Sequence, residues 1–337
     1  MQVLVTGGLG YIGSHCCVEL ARAGHRLQIV DNLANSRPSV LERIRELAPG
    51  ADVSFVRADV RDAAALDTAF AGRSIQAVIH FAGLKAVAES VAHPERYVDN
   101  NVGGTKVLLA AMERHAVERI VFSSSATVYG DPEFLPYTES HRLRPMNPYG
   151  ETKLAVERLL EGRGAARPGF RYAALRYFNP IGAHPSARMG EDPRGTPENL
   201  LPYLTRVVLG KLPSLRVFGG DYDTSDGTGV RDYIHVMDLA AGHLAALRHL
   251  ENGRSITANL GAGRGHSVLE VVAAFEKVTG MKVPYEIVAR RPGDLAAFYA
   301  DASLAARELS WSAKLGIEDM CRDAWRWQSA NPDGYPA

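Results

Sequence analysis

Long apolar runs, paired cysteines, metal-spaced histidines and any excess of charge are all missing from this chain of 337 residues. No stretch is apolar over a length that would cross a bilayer, and the opening MQVLVTGG lacks a basic leader followed by an apolar core. A cytoplasmic protein with no membrane partner is therefore expected. Lys plus Arg and Asp plus Glu balance at 38 each, so no nucleic-acid partner is expected either. The three cysteines, Cys16, Cys17 and Cys321, form no C-x-x-C pair and are expected to be small buried hydrophobes in a reducing compartment. The eleven histidines include no H-x-x-x-H or H-E-x-x-H cluster, and no metal site is expected. Fixed-period repeats, low-complexity segments and blocks of like charge are absent as well.

What the chain has is alternation. Gln2 to Thr6, Leu27 to Val30, Val53 to Val56, Ala77 to His80 and Ile120 to Ser123 are near-continuous apolar runs, the pattern of strands buried on both faces. Between them lie helical patterns over Tyr11 to Ala23, Val40 to Leu47, Ala63 to Phe70 and Tyr97 to Arg114. A helix from Pro148 to about Leu160 and a strand from Arg171 to Tyr177 close the periodic part. The fold class this implies is α/β, a doubly wound parallel sheet of the Rossmann type over residues 1–178. Beyond Asn179, Pro and Gly become frequent, and residues 179–337 read as a smaller mixed α/β unit. In it, VRDYIHVMDLAAGHLAAL reads as a turn and helix able to pack back on the main sheet.

The chemistry begins with VTGGLGYIG, in which Gly7, Gly10 and Gly13 follow a strand and open a helix. Such glycines allow a tight turn and let a pyrophosphate reach the helix N-terminus, where unpaired N–H groups favour an anion. Asp31, at the end of the second strand, falls where an acid would bind the adenosine ribose, which favours NAD; Arg37 leaves NADP open. Asp59, Phe81, Ala82, Gly83 and Lys85 fall at the ends of later strands and would line the same crevice. Ser125 and Thr127, in FSSSATVYG, would project hydroxyls into it. In NPYGETK, Asn147 caps a helix and Pro148 takes its first turn, which puts Tyr149 and Lys153 one turn apart on one face. Lysine there can hold a tyrosine ready to lose its proton, so Tyr149, Lys153 and Ser125 are the expected catalytic set.

These stretches, with DNLANS, HFAGLKAV, LRYFNPIGAHPS, GTGVRDYIHVMDLA and ANLGAG, resemble the UDP-galactose 4-epimerases (UDP-glucose 4-epimerases) of the extended short-chain dehydrogenase/reductase superfamily. The resemblance runs from Met1 to beyond Trp311. It implies a tightly held NAD, UDP-glucose and UDP-galactose as substrates, inversion at C4 through a 4-keto sugar, and a homodimer. It adds Tyr11, Ile12, Asn32, Asn35, Ser36, Val60, Asn100 and Tyr177 to the cofactor site. Asn179, Arg231 and Arg291 become the expected diphosphate ligands. Phe178, Asn199, Leu200, Phe218, Asp294 and Phe298 complete the sugar-nucleotide site with Thr127. Pro292 stands where a glutamate is common in the family, and Phe298 at a position that varies between large and small side chains.

Two other readings compete. A 4,6-dehydratase of the same fold would carry Asp-Glu after the threonine of the serine-rich segment, whereas Thr127 precedes Val128 and Tyr129. A protein that merely senses NAD would have little reason to keep hydroxyl, tyrosine and lysine together.

Overall fold

The computed structural model describes residues 1–291 and 293–336, so Pro292 lies outside the described residues. The first half runs β1 (Gln2–Thr6), α1 (Tyr11–Arg22), β2 (Arg26–Asp31), α2 (Ser39–Leu47), β3 (Val53–Arg57), α3 (Ala63–Phe70) and β4 (Ala77–His80). Two short helices, α4 (Val87–Ala92) and α5 (Pro94–Tyr97), lead through a π-helical turn, Val98–Gly103, into α6 (Gly104–Arg114), β5 (Arg119–Ser125), α7 (Pro148–Ala166) and β6 (Arg171–Tyr177). The second half continues with β7 (Asn179–Ile181), α8 (Leu200–Val208), β8 (Leu215–Phe218), β9 (Val230–His235), α9 (Val236–Glu251) and β10 (Ile256–Leu260). It ends with β11 (Gly265–Ser267), α10 (Val268–Thr279), β12 (Tyr285–Val288), β13 (Ala297–Phe298), α11 (Ser303–Leu309) and α12 (Ile317–Ala330).

Seven strands form one sheet in the order β10-β6-β5-β4-β1-β2-β3, every pair parallel. The order reverses beside β1, which opens the crevice where doubly wound folds take ligands. Apolar side chains fill both faces. Cys16, Cys17, Leu20, Ile44, Leu239 and Leu247 pack on one side, and Leu66, Leu108, Met112, Val156 and Leu160 on the other. A second core around Leu201, Leu204, Val217, Phe275 and Cys321 sits in the smaller part, where β7, β11 and β13 all pair with β9.

Four features differ from expectation. The helix expected over Tyr97 to Arg114 is broken by the π turn, because Asn101 turns its amide inward to bond the backbone of Leu84. VRDYIH is a strand rather than a turn, completed by partners distant in sequence. Helix α7 runs six residues past Leu160 to Ala166, its Gly164 lying against the Tyr172 ring and Arg163 over Phe170. The periodic part does not close at β6, since β10 adds a seventh strand, Ile256 opposite Ala173 and Leu260 opposite Tyr177. Helix α9 returns to the sheet as expected and lies against α1.

Candidate active site

The glycine loop is shaped by contacts that admit no side chain. Gly7 has φ of +68°, and a Cβ there would stand 2.6 Å from Ala82 N. A Cβ on Gly13 would meet Gly7 O at 2.3 Å. Helix α1 then starts at Gly10 with no side-chain cap and no acid in its first turn, so its orphan N–H groups and dipole face the crevice uncompensated. Ile12 is half-buried in that first turn, and the Tyr11 hydroxyl reaches across to donate to Gly182 O at 2.7 Å. Asp31 closes the floor: Oδ2 accepts from Leu9 N at 3.1 Å, and Oδ1 from Leu33 N at 2.9 Å and Ser36 Oγ at 2.8 Å.

Next along the strand ends, Asp59 is held by Arg61 through both oxygens and by Asn32 Nδ2 at 3.1 Å. Arg61 keeps its carboxyl well below the usual range, and an adenine amino group would have to displace one of these donors. Val60 is buried against Gly104, while Asn35 is exposed and Asn100 half-buried. Phe81 packs its ring 4.8 Å from His243. Gly83 lies against Asn101, 3.2 Å separating an added Cβ from Asn101 Oδ1, with Lys153 Nζ in ordinary contact at 3.8 Å. Lys85 turns away to Glu191 Oε1 at 3.4 Å, which also accepts from Asn199 Nδ2 at 2.7 Å.

The expected catalytic trio is assembled by two elements. Strand β5 carries Ser125 to its carboxyl end, where Ser125 Oγ accepts from Thr127 N at 3.2 Å and Thr127 Oγ1 at 3.0 Å, leaving its own O–H to donate elsewhere. Helix α7 starts as expected, with Asn147 Oδ1 accepting from Gly150 N at 2.9 Å. A Cβ on Gly150 would sit 2.7 Å from Thr127 O, so glycine lets the helix start press against the serine turn. Tyr149 N donates to Ser90 Oγ at 3.2 Å, which ties the helix start to α4. Lys153 Nζ donates to Ser123 O at 2.8 Å and stands 5.7 Å from the centre of the Tyr149 ring. Burial pushes the Tyr149 phenol up to about 12, with the Ser125 side chain drawing it back down. Burial also lowers Lys153 to about 8, opposed by the carboxylate of Glu157 one turn on. Tyr177, opposite Ser125 in the sheet, turns its hydroxyl to His243 Nε2 at 3.3 Å.

Five of the other expected ligands, Arg231, Arg291, Asp294, Phe218 and Phe298, form a second group. Arg231 and Arg291 share Asp294: Arg291 Nε donates to it at 2.9 Å, and Arg231 Nη2 lies 3.6 Å away. Arg291 also stacks 4.7 Å over Phe218, and Arg231 Nη1 donates to Val230 O and Leu295 O. Asn179 lies on β7 and Leu200 opens α8. Phe298, on β13 beside Arg231, packs 4.8 Å from the Tyr137 ring and 4.9 Å from that of Phe178.

Sequence reading missed the groups behind these. Asn101 Nδ2 bonds Thr152 Oγ1 at 3.1 Å, joining the Gly83 turn to α7. Arg176 and Glu157 form a buried ion pair at 2.6 Å behind Lys153. Tyr129 extends it, its hydroxyl accepting from Arg176 Nη1 at 3.1 Å and donating to Asn259 Oδ1 at 2.6 Å. The charge of Arg176 in the apolar run YAALRY, and of Glu157 four residues after Lys153, was the available signal.

A strand end of glycines, an acid and a hydroxyl–tyrosine–lysine trio in one crevice define a nucleotide-dependent enzyme of the doubly wound class. Residues 3–261 match the model of the NAD dependent epimerase/dehydratase family, and the chain belongs to that family. Over 336 residues, 99% of each chain, it is 56% identical to the UDP-glucose 4-epimerase of Bacillus subtilis (strain 168). The crystal structure of the UDP-glucose 4-epimerase from Stenotrophomonas maltophila, with bound NAD and formylated UDP-arabinopyranose, is 54% identical and superposes with a TM-score of 0.96, covering 98% of both chains. That from Bifidobacterium longum, in complex with NAD+ and UDP, is 51% identical with a TM-score of 0.95, covering 99% of this chain and 100% of the other.

Proposed function

We infer that this chain is an NAD-dependent epimerase that interconverts UDP-galactose and UDP-glucose by inverting C4 through a transient 4-keto sugar. The observation that carries the reading is the meeting of Ser125, Tyr149 and Lys153 beside the glycine loop, in a chain matched over its whole length by UDP-glucose 4-epimerases. The loop fits NAD: the uncapped start of α1 suits a pyrophosphate, and the fixed Asp31 carboxylate suits ribose hydroxyls and repels a 2′-phosphate. When bound, NAD supplies reversible two-electron oxidation at the sugar C4. Tyr149 takes the proton of the C4 hydroxyl and returns it after the 4-keto sugar has turned over. Ser125 holds the C4 oxygen with its O–H, which is otherwise turned to Tyr149. Burial alone disfavours the Tyr149 anion, so a neighbouring positive charge must favour it, and Lys153 is placed to do so.

In the same reading NAD lies over residues 1–178, and the UDP-sugar lies against residues 179–337, its diphosphate on Arg231, Arg291 and Asn179. Tyr177 borders both, and Phe298 faces the turning sugar. A second copy of the chain covers Val87, Val91 and Val98, which α4 and the π turn leave 41%, 63% and 53% exposed. The three cysteines, buried and unpaired, suit a reducing cytoplasm. The test is direct. Purified protein should equilibrate UDP-galactose with UDP-glucose without accumulating NADH, and stoichiometric NADH release would reject the epimerase assignment.

A further inference from the structure

The carboxy-terminal tail makes a set of contacts that C4 inversion does not call for. After α12 the chain folds back against residues 190–194. Tyr335 Oη accepts from Gly190 N at 3.0 Å and donates to Gly190 O at 3.1 Å, so one phenol pairs both backbone groups of that residue. The Tyr335 ring lies 4.5 Å from that of Trp327, and its N donates to Asp192 Oδ2 at 3.0 Å. Gly334 permits this approach: its φ is +79°, and a Cβ would fall within 2.3 Å of Asp192 Oδ1.

The segment so anchored also bonds the turn that follows β2. Asp192 Oδ2 also accepts from Arg37 Nε at 3.1 Å. Arg194 Nη2 donates to two carbonyls of one turn, Leu33 O at 3.2 Å and Ser36 O at 3.0 Å. That turn is the one whose Leu33 N and Ser36 Oγ hold Asp31 Oδ1. A continuous path of bonds therefore runs from the tail, through residues 190–194, to the acid expected to bind ribose. The tail's last bond, Ser39 Oγ to Pro336 O at 2.7 Å, lands just beyond the same turn.

We propose that Tyr335, Asp192 and Arg194 are positioning residues for the cofactor: the tail straps residues 190–194 onto the 33–37 turn, keeps Asp31 in its binding arrangement, and so slows the release of NAD. A turn held only by local bonds opens readily, and a ligand that can leave only while it is open escapes at a rate proportional to the time it is open. The strap removes that loss from a distance of nearly the whole chain. The proposal rests on the assignment of NAD to the glycine loop and Asp31.

The test times exchange of protein-bound NAD for labelled NAD by rapid gel filtration, in the full-length wild type, Tyr335→Phe and Arg194→Met. Tyr335→Phe keeps the ring against Trp327 and loses only the hydroxyl, while Arg194→Met cuts the far end of the path without touching the tail. Both variants should exchange NAD about tenfold faster than wild type, the effect of one or two net hydrogen bonds. Turnover lost on dilution should return when NAD is added, which a general loss of folding would not allow. Wild-type exchange rates in both variants would overturn the strap. A wild type that carries no NAD would overturn the cofactor assignment beneath it.

Discussion

Replacing Glu157 by Gln leaves the shape of α7 alone and removes one charge from a pair that has almost no water around it. The side chains of Arg176 and Glu157 are 3% and 1% exposed, with Nη2 to Oε2 at 2.6 Å and Nε to Oε1 at 2.9 Å. Ser124 Oγ adds a third donor to the carboxylate at 2.5 Å. Glutamine can satisfy some of these donors but cannot offset the guanidinium. Stranding a buried charge in this way costs about 3–5 kcal/mol, a large share of a typical domain's stability. Urea unfolding of the NAD-loaded protein should show that loss. The companion variant Glu157→Leu with Arg176→Met removes both charges and should be less damaging than the single change, because a buried pair gains little over apolar packing. There is a catalytic signature too. Glu157 raises the Lys153 pKa against the burial that holds it near 8, so its loss lowers Lys153 further and moves any alkaline fall in activity to lower pH. The reasoning fails if Glu157→Gln is as stable as wild type, if the double variant is the weaker of the two, or if the alkaline limb moves upward.

Tyr149→Phe should abolish most turnover while NAD stays bound, since the ring remains and the proton acceptor is gone; wild-type rates would assign the base to another residue. Lys153→Met should lose activity and weaken NAD retention together, read by assay and by cofactor released on denaturation, and full activity would remove lysine from the mechanism. Phe298→Ser should open space beside the Phe178 and Tyr137 rings and raise turnover of UDP-N-acetylgalactosamine relative to UDP-galactose. Because Phe298 is only half-buried, its truncation should cost less than the roughly 3–5 kcal/mol of a fully buried phenylalanine. Equal wild-type efficiency on both sugars would refute a gate of this size. Sedimentation should find a dimer that Val91→Glu weakens, the valine being 63% exposed on the chain alone.

The parts of the site legible in the sequence were those where a local requirement admits few residue types. Gly7 needs a positive φ and room beside Ala82, Asn147 needs a short acceptor to cap α7, and Asp31 must end a strand behind the loop. Each leaves its trace within a few residues. The sheet's first six strands were legible for a similar reason, the apolar runs of all but the half-buried edge strand β3 being buried on both faces. What stayed hidden depends on partners far along the chain. Residues Val230–His235 become a strand only through β7, β11 and β13, and Asn101 breaks a helix only because Leu84 lies beside it. Arg176 is comprehensible only with Glu157, Tyr129 and Asn259 drawn around it from three other elements.

The seventh strand has a consequence for how the chain is made. Strand β6 ends at Tyr177, but its neighbour β10 begins only at Ile256, so a ribosome must add the entire intervening segment before that edge is paired. Until then Ala173, Ala174 and Leu175, fully buried in the finished protein, line an open edge with unmatched N–H and C=O groups. A nascent or truncated chain that stops near residue 178 presents a template for strand addition from another molecule, and its hazard is aggregation rather than simple loss of the missing half.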